Sequence, residues 1–206
     1  MCGLLTLCAR VCSFLAVHPP TKSLMGAALW RTTRGQGCGG VRLRTYDDFE
    51  EYVNDGLRLA QGMGRKSGLA GLWWGGGKGV IAVPKNSAGE YDLTPTARHG
   101  LLNAYGSFMT SLRGCYVGAE DVGICVDDVD MVFEKTRFTT CISPELGGSG
   151  NPSVPTAHGI VASMEGALAF AEMGDLEGKT VAIQGLGNVG GAMVQVSDAS
   201  SCLGYR

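Results

Sequence analysis

Residues 179–184, Lys-Thr-Val-Ala-Ile-Gln, run directly into Gly185-Leu186-Gly187-Asn188-Val189-Gly190 and then into a helix-forming stretch. A short apolar strand that turns through three glycines at this spacing and opens a helix is the fingerprint of a dinucleotide-binding fold. Gly185 serves the tight turn, Gly187 leaves room for a pyrophosphate, and Gly190 lets the helix pack closely on the strand. With Leu186, Asn188 and Val189 between them, they place free helix N–H groups where phosphates can be met. The acid that binds the ribose belongs about 20 residues further on, at the end of the next strand. The chain continues only to Arg206, and Asp198 comes too early, in a tail without strand pattern. A Rossmann domain is therefore begun and truncated, and the position that separates NAD from NADP is not in the sequence.

Upstream, strands alternate with helices. The stretch from Tyr46 to Met63 has Phe49, Val53, Leu57 and Ala60 at helical spacing, with acids at its N-terminal end where the dipole favours them. A glycine-rich segment follows, then the apolar run Val80 to Val83, a short buried strand. Thr94-Pro95 is a helix start that should carry to about Leu112 and stop at Gly114. Strands are expected over 115–119 and 138–142, a short helix over 127–135, and a long helix over 154–173 with Ile160, Met164, Ala167 and Leu168 on one face. The class is α/β with a mostly parallel sheet. Three segments are expected: an atypical 1–35, a domain over 36–150, and the start of a Rossmann domain over 151–206. The boundary falls in the Gly-, Ser- and Pro-rich segment 145–153.

Composition excludes several function classes. A net charge of −2 gives no basic surface for nucleic acid, and no apolar stretch reaches the length of a membrane span. The eight cysteines form no CxxC pair, and His18, His99 and His158 complete no Cys/His quartet, so neither a zinc site nor a disulfide framework is expected. Cys125 and Cys141 read as small buried apolar groups in a reducing compartment. The first 46 residues hold no acid but carry Arg10, Lys22, Arg31, Arg34, Arg42 and Arg44. That composition suits a mitochondrial transit peptide as well as a native first strand region, so a mitochondrial or a cytoplasmic location is expected.

Two further constellations can do chemistry. Lys66 and Lys78 lie in Gly-Met-Gly-Arg-Lys-Ser-Gly-Leu-Ala-Gly-Leu-Trp-Trp-Gly-Gly-Gly-Lys. Lysines are ordinarily solvated surface charges. Lys78, between glycines, behind Trp73-Trp74 and ahead of a buried strand, should be partly desolvated, which lowers its pKa toward the range useful for proton transfer. Glu120 and Asp121 stand at the C-terminal end of a predicted strand, where ligands bind in parallel α/β sheets. The same residues could simply cap the following turn.

Together these motifs resemble the glutamate/leucine/phenylalanine/valine dehydrogenase family over roughly residues 36–191. The resemblance rests on Gly-Cys-Gly-Gly-Val-Arg (37–42), Met63-x-x-Lys66, the glycine run ending at Lys78, Ala-Glu-Asp-Val-Gly (119–123), residues 143–153, Thr156 and Gly185–Gly190. Residues 75–84 and 119–123 are most similar to the leucine dehydrogenase-like members. The segment before Gly37 matches poorly, although 14–18 echoes a family strand. Trp73-Trp74 is bulkier than the pattern, and the match ends near Gly191. The resemblance implies an oligomer-forming substrate domain and NAD-dependent oxidative deamination of a branched-chain or aromatic L-amino acid. Cys38, Leu72 and Trp73 would be apolar pocket neighbours. In this reading Lys78 and Asp121 are catalytic. Lys66, Gly39, Gly40 and Met63 meet the substrate. Thr156 and Gly185, Leu186, Gly187, Asn188, Val189 and Gly190 meet the cofactor. The alternative is a catalytically inactive truncated chain that keeps a self-association domain.

Overall fold

The computed structural model describes residues 3–5, 11–89 and 91–199. It divides into two compact units, Met1–Gly150 and Asn151–Arg206. The first unit is built on one sheet. Its strands are β1 (Gly3–Leu5), β2 (Val11–His18), β3 (Ser23–Trp30), β4 (Gly37–Cys38), β5 (Val41–Arg44), β6 (Gly75–Ala82) and β7 (Tyr116–Val117). They lie in the order β1-β2-β3-β6-β4-β7, and β5 pairs with β6 beyond β4. The fold is α/β, and its sheet is mixed. β4, β5, β6 and β7 pair in parallel, whereas β1, β2, β3 and β6 pair antiparallel.

The antiparallel part comes from residues 3–5 and 11–30, within the segment that the sequence sets apart as atypical. β2 and β3 are joined by a tight turn in which Lys22 N–H donates to the Pro19 carbonyl at 3.3 Å. A connection this short admits only antiparallel pairing. β3 is buried at Met25, Gly26, Ala27, Ala28 and Leu29 in succession. A strand covered on both faces shows no alternation, which is why it escapes a search for period two.

The glycine run before Lys78 is the first half of β6 and not a loop. The helix before it, α1 (Phe49–Leu69), runs past Met63 and carries Lys66 in its last turn. It starts at Asp48, whose carboxylate accepts from Glu51 N–H at 2.7 Å. α1 lies against β6 so closely that a Cβ on Gly76 would meet Gly64 N at 2.9 Å. Glycine on both elements lets the backbones approach, and that packing outweighs the poor helix propensity of Gly62, Gly64 and Gly68.

Helix α2 (Pro95–Ser111) starts as expected, with Thr94 Oγ1 accepting from Ala97 N–H at 3.3 Å. With α3 (Val126–Phe133) it contributes to a core holding Leu43, Ile81, Leu101, Leu102, Tyr105, Met109, Tyr116 and Val129. The strand expected over 138–142 is reduced to one bridge between Gly118 and Thr139, because Cys141 turns the chain with φ of 63°. Cys125 is exposed and Cys141 half-buried, so neither is the buried apolar filler expected.

The second unit contains α4 (Ser153–Phe170) and α5 (Asn188–Ala199), packed through Ala157, Val161, Ala192, Met193 and Val196. Of the face expected on α4, Ile160 and Met164 pack against this cluster, whereas Ala167 is exposed. Residues 179–184 form no strand, for a physical reason: no described residue of this unit offers an edge to pair with. Among the described residues no helix is long and apolar enough to cross a membrane.

Candidate active site

Lys78 sits in the middle of β6, opposite Ala28 of β3. Its side chain is 5% exposed, and its Nζ lies 2.9 Å from Oδ2 of Asp121, which is 24% exposed. The same carboxylate oxygen accepts from Arg42 Nε at 3.0 Å. Arg42 extends the network with Nη1 at 3.1 Å from Asp55 on α1. Asp55 also accepts from the Tyr46 hydroxyl at 2.9 Å and from Arg58 at 3.1 Å. Two cations and two carboxylates therefore alternate from β6 to α1, each charge meeting an opposite one.

Burial pulls the Lys78 ammonium below its ordinary pKa. Asp121 counters that pull, and Arg42 adds to it. Burial alone would raise the Asp121 carboxyl, but Lys78 and Arg42 outweigh it and hold the acid below the usual carboxylate range. Asp55 is held low in the same manner by Tyr46, Arg58 and Arg42 against its own burial. The result is an ionised carboxylate next to a lysine whose proton is easier to remove than in water. Such a pair can accept and return protons at neighbouring atoms of one ligand.

The backbone around Asp121 is fixed from several sides. Val41 N–H donates to Ala119 O at 2.8 Å and Leu43 N–H to Val122 O at 2.9 Å. Arg98 donates to Gly123 O at 2.6 Å while forking onto Asp128 at 2.7 Å. Asp128 in turn accepts from Cys125 N–H at 2.8 Å at the start of α3. The helix after the turn thus takes its cap from its own residues, and the Asp121 side chain turns to Lys78 and Arg42 instead.

Gly39 and Gly40 are buried between β4 and β5. A Cβ on Gly40 would lie 2.6 Å from Asp121 Cβ, and one on Gly39 would lie 3.0 Å from Met63 Cγ. The structure thus brings Lys78, Asp121, Gly39, Gly40 and Met63 together. Lys66 follows Met63 by three residues on α1, is exposed, and forms no ion pair with a described residue. Of the expected pocket neighbours, Cys38 is half-buried and its thiol is pushed up by burial. Leu72 and Trp73 are exposed, Trp73 to 78%, with the Arg34 guanidinium 5.3 Å from its ring. Arg42 and Asp55 are the members that sequence reading missed as site residues. Arg42 closes the Gly-Gly-Val-Arg motif, and that position was the one available signal.

In the second unit Thr156 is half-buried in the first turn of α4. Gly185 has φ of +87°, the left-handed conformation that a tight turn assigns to glycine. A Cβ on Gly190 would run into the Gly185 carbonyl, and one on Gly187 would meet nothing within 4 Å. Leu186 is 73% exposed, Asn188 opens α5, and Val189 packs at the rim of the α4–α5 cluster. A crowded third glycine and an open second one are what a pyrophosphate-binding turn requires, so these residues fit a dinucleotide.

Comparison with known proteins agrees with this architecture. The model of the Glu/Leu/Phe/Val dehydrogenase dimerisation domain matches residues 27–138, more than half of the chain. That of the Glutamate/Leucine/Phenylalanine/Valine dehydrogenase domain matches residues 147–202. The chain belongs to this family, an oxidoreductase family of amino-acid dehydrogenases, and it is leucine dehydrogenase-like. The match begins before Gly37 and continues past Gly191, beyond both limits expected from the motifs. Leucine dehydrogenase of Geobacillus stearothermophilus is 44% identical over 79% of this chain and 42% of its own length. Valine dehydrogenase of Streptomyces albus is 43% identical over 82% of this chain and 44% of its own. The chain thus spans less than half the length of these relatives. Among solved structures, L-tryptophan dehydrogenase from Nostoc punctiforme superposes with a TM-score of 0.62 at 29% identity, over 89% of this chain and 50% of that one. Hetero-hexameric glutamate dehydrogenase from Thermus thermophilus shares the fold, with a TM-score of 0.69 at 22% identity over 93% of this chain and 48% of that one.

Proposed function

We propose that this protein catalyses NAD-dependent oxidative deamination of a branched-chain or aromatic L-amino acid, giving the 2-oxo acid and ammonia. The observation that carries the reading is the buried Lys78–Asp121 pair at 2.9 Å, set against the Gly39–Gly40 backbone. The names of its leucine, valine and tryptophan dehydrogenase relatives support the substrate class.

Lys66, exposed on α1, would hold the substrate carboxylate by charge-assisted hydrogen bonds. Met63, Gly39 and Gly40 would shape the floor beneath it. NAD, held at Thr156 and along Gly185, Leu186, Gly187, Asn188, Val189 and Gly190, supplies the hydride acceptor when bound. Asp121 takes a proton from the substrate ammonium, which frees the nitrogen lone pair. Lys78 takes a proton from the water that adds to the oxidised carbon and returns one as ammonia leaves. The depressed pKa of Lys78 suits it to both directions of that transfer near neutral pH.

A specific observation favours a second reading, that the chain acts mainly by self-association: residues 27–138 match a dimerisation domain. Both are tested on the purified chain by following NADH formation with L-leucine, L-valine and L-phenylalanine, with mass measured by light scattering. Amino-acid-dependent NADH formation that vanishes in Lys78→Ala supports the enzyme. A stable oligomer that neither binds NADH nor forms it sinks that reading and leaves the second.

A further inference from the structure

Below Lys78, on the opposite face of β6, two phenols share the space that Gly79 leaves open. Tyr105 and Tyr116 are both fully buried. A Cβ on Gly79 would lie 2.7 Å from the Tyr116 hydroxyl oxygen and would also strike that of Tyr105. The Tyr116 hydroxyl donates to the Gly39 carbonyl at 2.6 Å and lies 3.2 Å from that of Gly40. Tyr105 donates to the Gly26 carbonyl at 3.1 Å; its hydroxyl borders that of Tyr116 but makes no hydrogen bond to Gly39 or Gly40.

We propose that Tyr116 is a positioning residue, whose hydroxyl fixes the Gly39–Gly40 backbone against Asp121 and Met63. The geometry allows little slack. Gly40 cannot move toward Asp121, where even a Cβ would come within 2.6 Å, and Gly39 is confined by Met63 and by the Gly77 carbonyl. Gly39 and Gly40 lie outside β4 and β5, in the gap between the two strands. Backbone bonds still reach this corner, from Gly39 N–H to Val117 O at 3.2 Å and from Gly79 N–H to Gly40 O at 3.1 Å, and the side-chain donor from β7 adds to them at the Gly39 carbonyl. Groups that hold a site's inner residues from behind commonly set its precision. The inference rests on the proposed function for what the corner binds, but not for what Tyr116 holds.

The test compares Tyr116→Phe with Tyr105→Phe in the same chain. Each removes one buried hydroxyl that donates to a backbone carbonyl, and each keeps the ring that fills the core. Amide hydrogen exchange is followed at Gly39, Gly40 and Val41, and binding of L-leucine and L-phenylalanine is followed by calorimetry. Tyr116→Phe is expected to speed exchange at these amides about tenfold and to weaken amino-acid binding by a similar factor, the scale of one buried hydrogen bond. Tyr105→Phe is expected to leave both within about twofold while lowering global stability as much. Equal exchange at Gly39–Val41 in the two variants overturns the proposal. If the unmodified chain binds neither amino acid, the proposed function fails, and the exchange comparison still decides the role of Tyr116.

Discussion

Glycine does opposite work in the two units. In β6 the glycines exist because their surroundings are full: α1 presses on Gly76, and the tyrosine hydroxyls press on Gly79. In the turn at 185–190, Gly187 has nothing within 4 Å. The first pattern builds a site by packing the backbone tightly around a buried charge. The second leaves a surface into which a ligand can come. The same residue type, read from sequence, signals closure in one place and access in the other.

The largest effect expected on the packed side is chemical. Lys78→Ala removes the buried ammonium and should lower amino-acid-dependent NADH formation by about a thousandfold, within the span general acid–base groups supply. Steady-state rates measured with saturating L-leucine decide this, and residual activity above a tenth of the starting rate would remove Lys78 from the mechanism.

Next comes the backbone contact itself. Gly76→Ala puts a methyl against Gly64 N at 2.9 Å and Trp30 O at 3.0 Å, neither of which is the movable end of a side chain. We expect a loss of about 3 kcal/mol in urea unfolding. A loss under about 0.5 kcal/mol would mean that α1 and β6 separate easily, and the contrast with Gly187 would collapse.

Arg42→Ala probes the charges without touching the glycines. Arg42 depresses the Lys78 pKa and also helps to hold Asp121 low. Its removal should raise both, moving the limb along which the rate rises as Lys78 loses its proton to higher pH. The stability signs can be stated as well. Asp121 titrates below its unfolded value, so its contribution is present above that value and is lost as pH falls through the folded pKa. Lys78 also titrates below its unfolded value, so the unfolded chain binds more protons, and stability rises with pH across the interval between the two. Both groups therefore favour folding at the higher pH, and Asp121→Asn should flatten the acid limb of a urea-unfolding series. An acid limb of unchanged slope would show that Asp55 and Asp128, also held low, carry it instead.

How much of this was legible beforehand depends on the range of the interaction. Thr94-Pro95 announced α2 because capping is local, and Thr94 does cap Ala97 N–H. Val80 to Ala82 of β6 is legible as a buried strand, but its first half is not, because alternation is visible only where side chains alternate, and Gly75, Gly76, Gly77 and Gly79 have none. The family motifs pointed to Lys78 and Asp121 as chemically active, but no spacing rule could place them 2.9 Å apart. The link from Arg42 to Asp121 spans 79 residues, and it exists only because β5 and the turn after β7 lie side by side. β3 is hidden by burial on both faces, which erases the period that strand recognition uses.

The smallest effect is the sharpest check on the contrast. Gly187→Ala adds a methyl where nothing lies within 4 Å, and the position does not require a positive φ. Stability should change by less than about 0.5 kcal/mol, the range of an uncrowded exposed site. Gly190→Ala, in the same turn, drives its methyl into the Gly185 carbonyl and should destabilise the second unit clearly. Thermal unfolding of the two variants separates crowding from access within six residues. If both variants melt like the unmodified chain, the turn at 185–190 is not packed as described. If both melt early, Gly187 is confined after all. Only a neutral Gly187→Ala beside a damaging Gly190→Ala preserves an open approach over a fixed turn, and a loss of NADH binding in that neutral variant would then report the occupied space directly.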